Sequence, residues 1–290
     1  MSSPPDIPEP RHASGGPLRT ITAWIADLGG LVIRWITELG SVAQFSLRTI
    51  GWLLTRLPKK ETIFPNFYQI GVLSLPVVAL TGAFIGMVLA VQSYSQFRML
   101  HLESRLGAVI NMSLVRELGP VLAATMLAGR VGSAMAAELG TMRVTEQIDA
   151  LVTMGANPIH YLVVPRFLSC LMLIPALTIM ADFMGVIGAF FYAVQLNGID
   201  AHHYLENSQN FVGRFDLFAG VFKSLFFGAA IALIACYRGF NCEPGAEGVG
   251  RAATAAFVYS FVIILLLDLL LGIALDGIYY TVWPEMPKLV

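Results

Sequence analysis

The chain has 290 residues, of which 56% are hydrophobic and only 13% charged, with a net charge of -1. Soluble domains carry about 25% charged residues, so this is an integral membrane protein, and the absence of a basic excess excludes a nucleic-acid binder. Three cysteines, Cys170, Cys236 and Cys242, form no C-x-x-C pattern or metal-ligand spacing, which leaves no basis for a disulfide framework, a metal centre or a cofactor.

Residues 1–17 hold five prolines and no apolar core, the composition of a disordered tail and not of a cleavable signal peptide. Over 18–60 apolar residues recur at helical spacing (Ile21, Ile25, Leu28, Val32, Leu39), while Asp27, Arg34, Glu38 and Arg48 occupy the other face. That face is too charged to cross a bilayer, so a helix lying in the membrane interface is predicted. The rest, 61–290, reads as one membrane domain.

Five spans follow, near 67–97, 106–137, 167–196, 217–236 and 253–278. The first contains Gly82-Ala83-Phe84-Ile85-Gly86, a pattern that lets helices approach closely. In the second, small residues recur at Ala128, Gly132, Ala136 and Gly140. A short polar helix, Val144 to Met154, and the loop Gly155 to Pro158 separate spans two and three. With the N-terminus inside, eleven lysines and arginines flank the spans on the inner side and four on the outer. The positive-inside bias therefore places the N-terminus and the polar helix in the cytoplasm and the C-terminus outside.

Orientation gives depth to the charges inside the spans. Arg116 and Glu117 lie roughly 17 Å from the outer turn, Lys223 roughly 10 Å below the outer surface, and Asp268 roughly 22 Å up from the inner one. Four ionisable groups from three helices thus share the outer half of the membrane. Two readings stand side by side. They pair only to hold helices together, or they form the polar floor of a cavity for a molecule with a charged head and apolar tails. Pro120 removes a helix hydrogen bond beside that floor. Arg130 and Glu138, nearer the cytoplasm, are read as structural charges tying the second span to the inner loop. Asp182 is left without a role, and His202 and His203 are read as solvated.

No G-x-x-x-x-G-K-[ST] stretch and no G-x-S-x-G elbow occurs. The chain is therefore not expected to be an enzyme or to bind ATP through a P-loop.

The segments GVLSLPVVALTGAFIGMVLAVQ (71–92), LVRELGPVLAATMLAGRVGSAMAAELGTMRVTEQIDAL (114–151), PRFLSC (165–170), FKSLFFG (222–228) and AEGVGRAAT (246–254) occur in order. Together they resemble the MlaE family of permeases. Joined to the elements read above, the resemblance gives an all-α permease with an N-terminal interfacial helix and five transmembrane helices, and it implies that the polar helix between spans two and three is a cytoplasmic coupling helix. It implies a homodimeric subunit in the inner membrane of a bacterium that moves phospholipid between inner and outer membranes. The implied partners are a cytoplasmic ABC ATPase that supplies the energy and a periplasmic MCE-domain protein. The lipid pocket then matches Arg116, Glu117, Lys223 and Asp268, and ATPase coupling matches Glu146, Asp149, Met154 and Gly155. The alternatives are a secondary lipid transporter or channel acting alone, a sterol or other hydrophobic substrate carried by an MCE-type system, and a scaffold without substrate.

Overall fold

The computed structural model describes residues 17–56, 58, 60–102 and 105–282, with side chains from Gly29 onward apart from residues 31, 34, 35, 280 and 282. The tail expected before Pro17, and the side chains of Ile25, Leu28 and Arg34, lie outside the described residues. Every regular element among the described residues is helical.

Helix α1 covers Pro17–Thr55. Up to Gln44 it forms one unit, which exposes Val32, Ile33, Ile36 and Leu39. The remainder of the chain, from Phe45, is a second compact unit. Within this unit the last turns of α1 are packed, with Phe45 against Tyr237 and Phe240 and Trp52 against His160.

Among the described residues, five helical segments are long and apolar enough to cross a membrane: Lys60–Met99, Leu106–Val144, Ile159–Leu196, Arg214–Phe240 and Ala246–Tyr279. Their bodies are α2 (Lys60–Ile70) with α3 (Leu75–Met99), then α4 (Leu106–Ser113), α5 (Gly119–Leu127) and α6 (Ser133–Val144), and, after the short α7 (Gln147–Thr153), α8 (Val164–Phe190). Helix α9 (Ala201–Phe211) then precedes α10 (Arg214–Phe240) and α11 (Ala246–Val282). Successive crossings put α7 and the turn before α11 on one side of the membrane and α9 on the other.

The ends and kinks of these helices follow from local chemistry. Proline has no N–H to donate, so the helix widens where one is accommodated. Before Pro120 the turn Leu114–Leu118 is π-helical, with the Gly119 N–H reaching back to Leu114. Before Pro165 the turn Ile159–Val163 is π-helical as well. A third π turn, Ala128–Gly132, contains two glycines and no proline.

Helix α8 is central, packed on α3 and α10, and α10 in turn meets α6 and α11. Lipid tails are as apolar as leucine, so spans associate through close packing and not through exclusion of water. The predicted Gly82/Gly86 pattern supplies that contact. A methyl group on Gly86 would sit 1.8 Å from the Gly185 carbonyl oxygen, so the two backbones touch there. The small residues of span two serve α10 likewise: Gly132 faces Ile231, and Ala136 packs beneath Gly239. By contrast α11 leaves Leu265, Leu266, Leu269, Leu270 and Ile273 exposed, as a lipid-facing or partner-facing helix does.

Candidate functional site: an ionic cluster across three spans

Two arginines of span two lie in π turns, Arg116 in Leu114–Leu118 and Arg130 in Ala128–Gly132. Such turns interrupt the regular ladder and recur at functional sites. The turn carrying Arg116 and Glu117 faces the starts of α10 and the latter half of α11.

There the sequence-predicted charges meet. Lys223, only 1% exposed, donates to Glu117 at 2.5 Å and to Asp268 at 3.1 Å. Arg116 lies 3.9 Å from Glu117 and also reaches two carboxylates that depth reasoning missed, Asp216 at 3.5 Å and Asp276 in direct contact. Two cations therefore face four carboxylates in one connected cluster. Glu117 and Asp276 are its open members, 42% and 48% exposed, whereas Lys223 is enclosed.

This arrangement has two chemical consequences. Removing a carboxylate from around Lys223 leaves one still in place, so the lysine is never wholly unpaired. The guanidinium of Arg116 already meets Asp216 and Asp276, so an incoming phosphate competes with these carboxylates for it. The surplus of negative charge sits on the open side, at Glu117 and Asp276, where an ammonium group is favoured.

The two missed aspartates had local signals. Asp216 accepts the Gly213 N–H at 2.9 Å at the head of α10, so it also caps that helix. Asp276 stands two turns beyond Asp268 on the same apolar helix.

Arg130 and Glu138 do not reach the inner loop as predicted. Glu138 pairs with the buried Arg166 of α8 at 2.8 Å, and Arg130 donates to the Ser74 hydroxyl in the turn between α2 and α3. Each therefore ties span two to a neighbouring span, because the π turn rotates Arg130 towards span one. Asp182 is buried, with one carboxylate oxygen unpartnered above Gly119. It lines a cavity of about 500 Å³ with Asn111, Ser208 and Phe183.

On the opposite side, the polar helix is shorter than its sequence suggests. Glu146 adopts a left-handed conformation (φ 58°) that separates α6 from α7, and Gly155 (φ 76°) ends the turn after it. Asp149 pairs with Arg143 at 2.6 Å, and both side chains are exposed. Met154 is 73% and Val152 55% exposed. Acidic and apolar groups thus share one projecting surface, joined through α6 to the helix that carries Arg116 and Glu117.

Residues 63–274 match the family described as Permease MlaE. The chain is 36% identical over 262 residues to a protein of Haemophilus influenzae named intermembrane phospholipid transport system permease protein MlaE, covering 89% of this chain and 99% of that one. It is 40% identical over 245 residues to a probable ABC transporter permease protein of Rickettsia felis, covering 84% and 95% of the two chains. A protein of Synechocystis with the same description is 41% identical over 217 residues, covering 75% and 82%.

Proposed function

Because the chain belongs to the MlaE permease family, we propose that it is the membrane subunit of an ABC-type transporter that moves phospholipid between the inner and outer membranes. ATP hydrolysis occurs on a separate cytoplasmic subunit. The observation that carries this reading is the ionic cluster, which joins spans two, four and five within an otherwise apolar helical body. Charges are costly there and mark substrate paths, and the cluster offers both signs to a zwitterionic or anionic headgroup.

In this reading the cluster as seen is a resting state satisfied by its own members. A phospholipid phosphate takes Arg116 from its aspartates, for which a planar two-pronged donor is suited. Glu117, Lys223 and Asp268 re-pair around the headgroup. The ATPase seats on Glu146, Asp149, Met154 and Gly155, and its movement reaches the cluster along span two, whose π turns give it places to bend. A second copy of the chain and a periplasmic MCE-domain protein complete the assembly. The exposed α11 fits the homodimer contact. The N-terminal part of α1 lies in the inner-leaflet interface through Val32, Ile33, Ile36 and Leu39, with the N-terminus cytoplasmic and the C-terminus periplasmic.

Reconstitution tests this. The chain with its ATPase in proteoliposomes should move labelled phospholipid only with hydrolysable ATP. Transport by the chain alone under an ion gradient would establish a secondary transporter instead.

A further inference from the structure

The second intramembrane arginine is matched quite differently from the first. Arg116, Lys223 and Arg166 each meet a carboxylate. Among the described residues no carboxylate pairs with Arg130, whose contact is the neutral Ser74 hydroxyl. That hydroxyl is itself committed as a donor to the Ile70 carbonyl. One oxygen uses one of a guanidinium's five N–H donors. The positive charge and most of its donors remain uncompensated by the protein.

Those donors border a cavity of about 300 Å³. Its far wall is α2, which contributes the carboxamides of Asn66 and Gln69. Buried Ile70, Val131 and Met135 form the apolar lining, and Leu73, 45% exposed, stands at its edge. A cation and two amides at one end, with an apolar exit at the other, match an amphiphile whose head is an anion with several acceptor oxygens.

Depth identifies the amphiphile. Arg130 lies twenty-four residues beyond Leu106, roughly 36 Å of helix. A hydrocarbon core of about 30 Å ends near that level. Ser74, twenty-five residues before Met99, reaches the same level independently from span one. The cavity therefore stands at headgroup height on the side of α7, opposite to the ionic cluster.

We infer that this cavity is a second phospholipid site, in which Arg130 binds the phosphate of a lipid from the leaflet on the α7 side. The guanidinium takes two phosphate oxygens, the charge-assisted geometry arginine favours. Gln69 and the second N–H of Asn66, whose amide nitrogen already donates to the Thr62 carbonyl at 2.7 Å, donate to the remaining oxygens, and the acyl chains leave past Leu73 into the bilayer. The bound lipid neutralises the uncompensated cation. The identity of the lipid rests on the phospholipid-transport reading. Binding itself does not depend on transport.

The test uses the full-length chain, delipidated in non-ionic detergent, without ATPase or nucleotide, so that failure of the transport reading leaves its outcome unaffected. The probe is phosphatidylglycerol with a photoreactive acyl chain, and crosslinks are mapped by mass spectrometry. Crosslinks are expected at Leu73 and Ala134. Arg130→Gln should lower them by about tenfold or more, as for a lost charge-assisted contact, and Arg130→Lys should lie between. Diacylglycerol with the same chain should label these positions only weakly. Should Arg130→Gln fail to fold, the pair Asn66→Leu and Gln69→Leu keeps the cation, and it too should reduce labelling. Equal labelling by diacylglycerol overturns the inference, as does undiminished labelling in the folded variants. Full competition by millimolar inorganic phosphate would overturn the lipid assignment in favour of a soluble anion. An arginine that merely reaches for water would show no site-selective label at all.

Discussion

Lys223 and Glu117 meet at 2.5 Å although they come from different spans, and Asp268 meets the same ammonium group at 3.1 Å. The lysine is thus shared by two carboxylates, not held in a simple pair. Lys223→Met leaves Glu117 and Asp268 facing each other without the ammonium group, with only the 3.9 Å approach of Arg116 to Glu117 in its place. Breaking a buried ion pair from one side costs about 3–5 kcal/mol, with the lower end expected here because Glu117 is 42% exposed. Adding Asp268→Leu should recover only part of the loss, since Glu117 stays behind. The triple variant with Glu117→Gln should recover most of it. Thermal midpoints in detergent check this order. Full recovery in the double variant would show that Glu117 is not a partner of Lys223.

Arg116 can be released without being removed. Asp276→Asn takes away one of the charges that holds its guanidinium, so the bound phospholipid per protomer should rise severalfold. Arg116→Lys should lower it, because an ammonium group does not reproduce the two-pronged contact. Native mass spectrometry of the detergent-purified complex reads both. Identical lipid content in the two variants would remove Arg116 from the substrate path and leave the cluster as a brace.

The surface around α7 separates fold from partner. A left-handed residue other than glycine costs about 1–2 kcal/mol, so Glu146→Gly should keep or raise thermal stability. Charge reversal by Glu146→Lys with Asp149→Lys should release the ATPase while the permease stays folded. ATPase retained at the unmodified level in the folded double variant would place docking elsewhere. Arg143→Ala loses only the surface pair with Asp149, worth about 0–1 kcal/mol, and should leave ATPase retention near normal.

Asp200 caps α9, its carboxylate accepting the His203 N–H at 2.9 Å. That hydrogen bond holds the Asp200 pKa below its ordinary value; it outweighs the opposing desolvation, and the His202 N–H and both imidazoles add to the lowering. A depressed carboxylate stabilises the folded form above the unfolded pKa of about 3.9, and the contribution disappears as pH falls through the lower, folded-state value. The His203 amide resonance should therefore titrate below pH 3.9, and in Asp200→Asn it should not titrate there. A midpoint at or above the ordinary value would mean that the cap is not formed.

Much of this molecule could be read along the chain. Hydrophobic runs, the positive-inside bias and helical rise are properties of the sequence itself. They sufficed for five spans, a polar helix between the second and third, and the common depth of Arg116, Glu117, Lys223 and Asp268. The close contact of Gly86 was also legible, because only a missing side chain permits it. Pairing was not legible, since it depends on how each helix is rotated and which neighbour it meets. Asp216 and Asp276 join the cluster only because α10 and α11 are set beside the π turn of Arg116. Glu138 found Arg166 for the same reason, and Arg130 was left with a hydroxyl. Depth is a one-dimensional quantity that a sequence carries. The partner of a buried charge also depends on azimuth and helix order, which only tertiary packing decides.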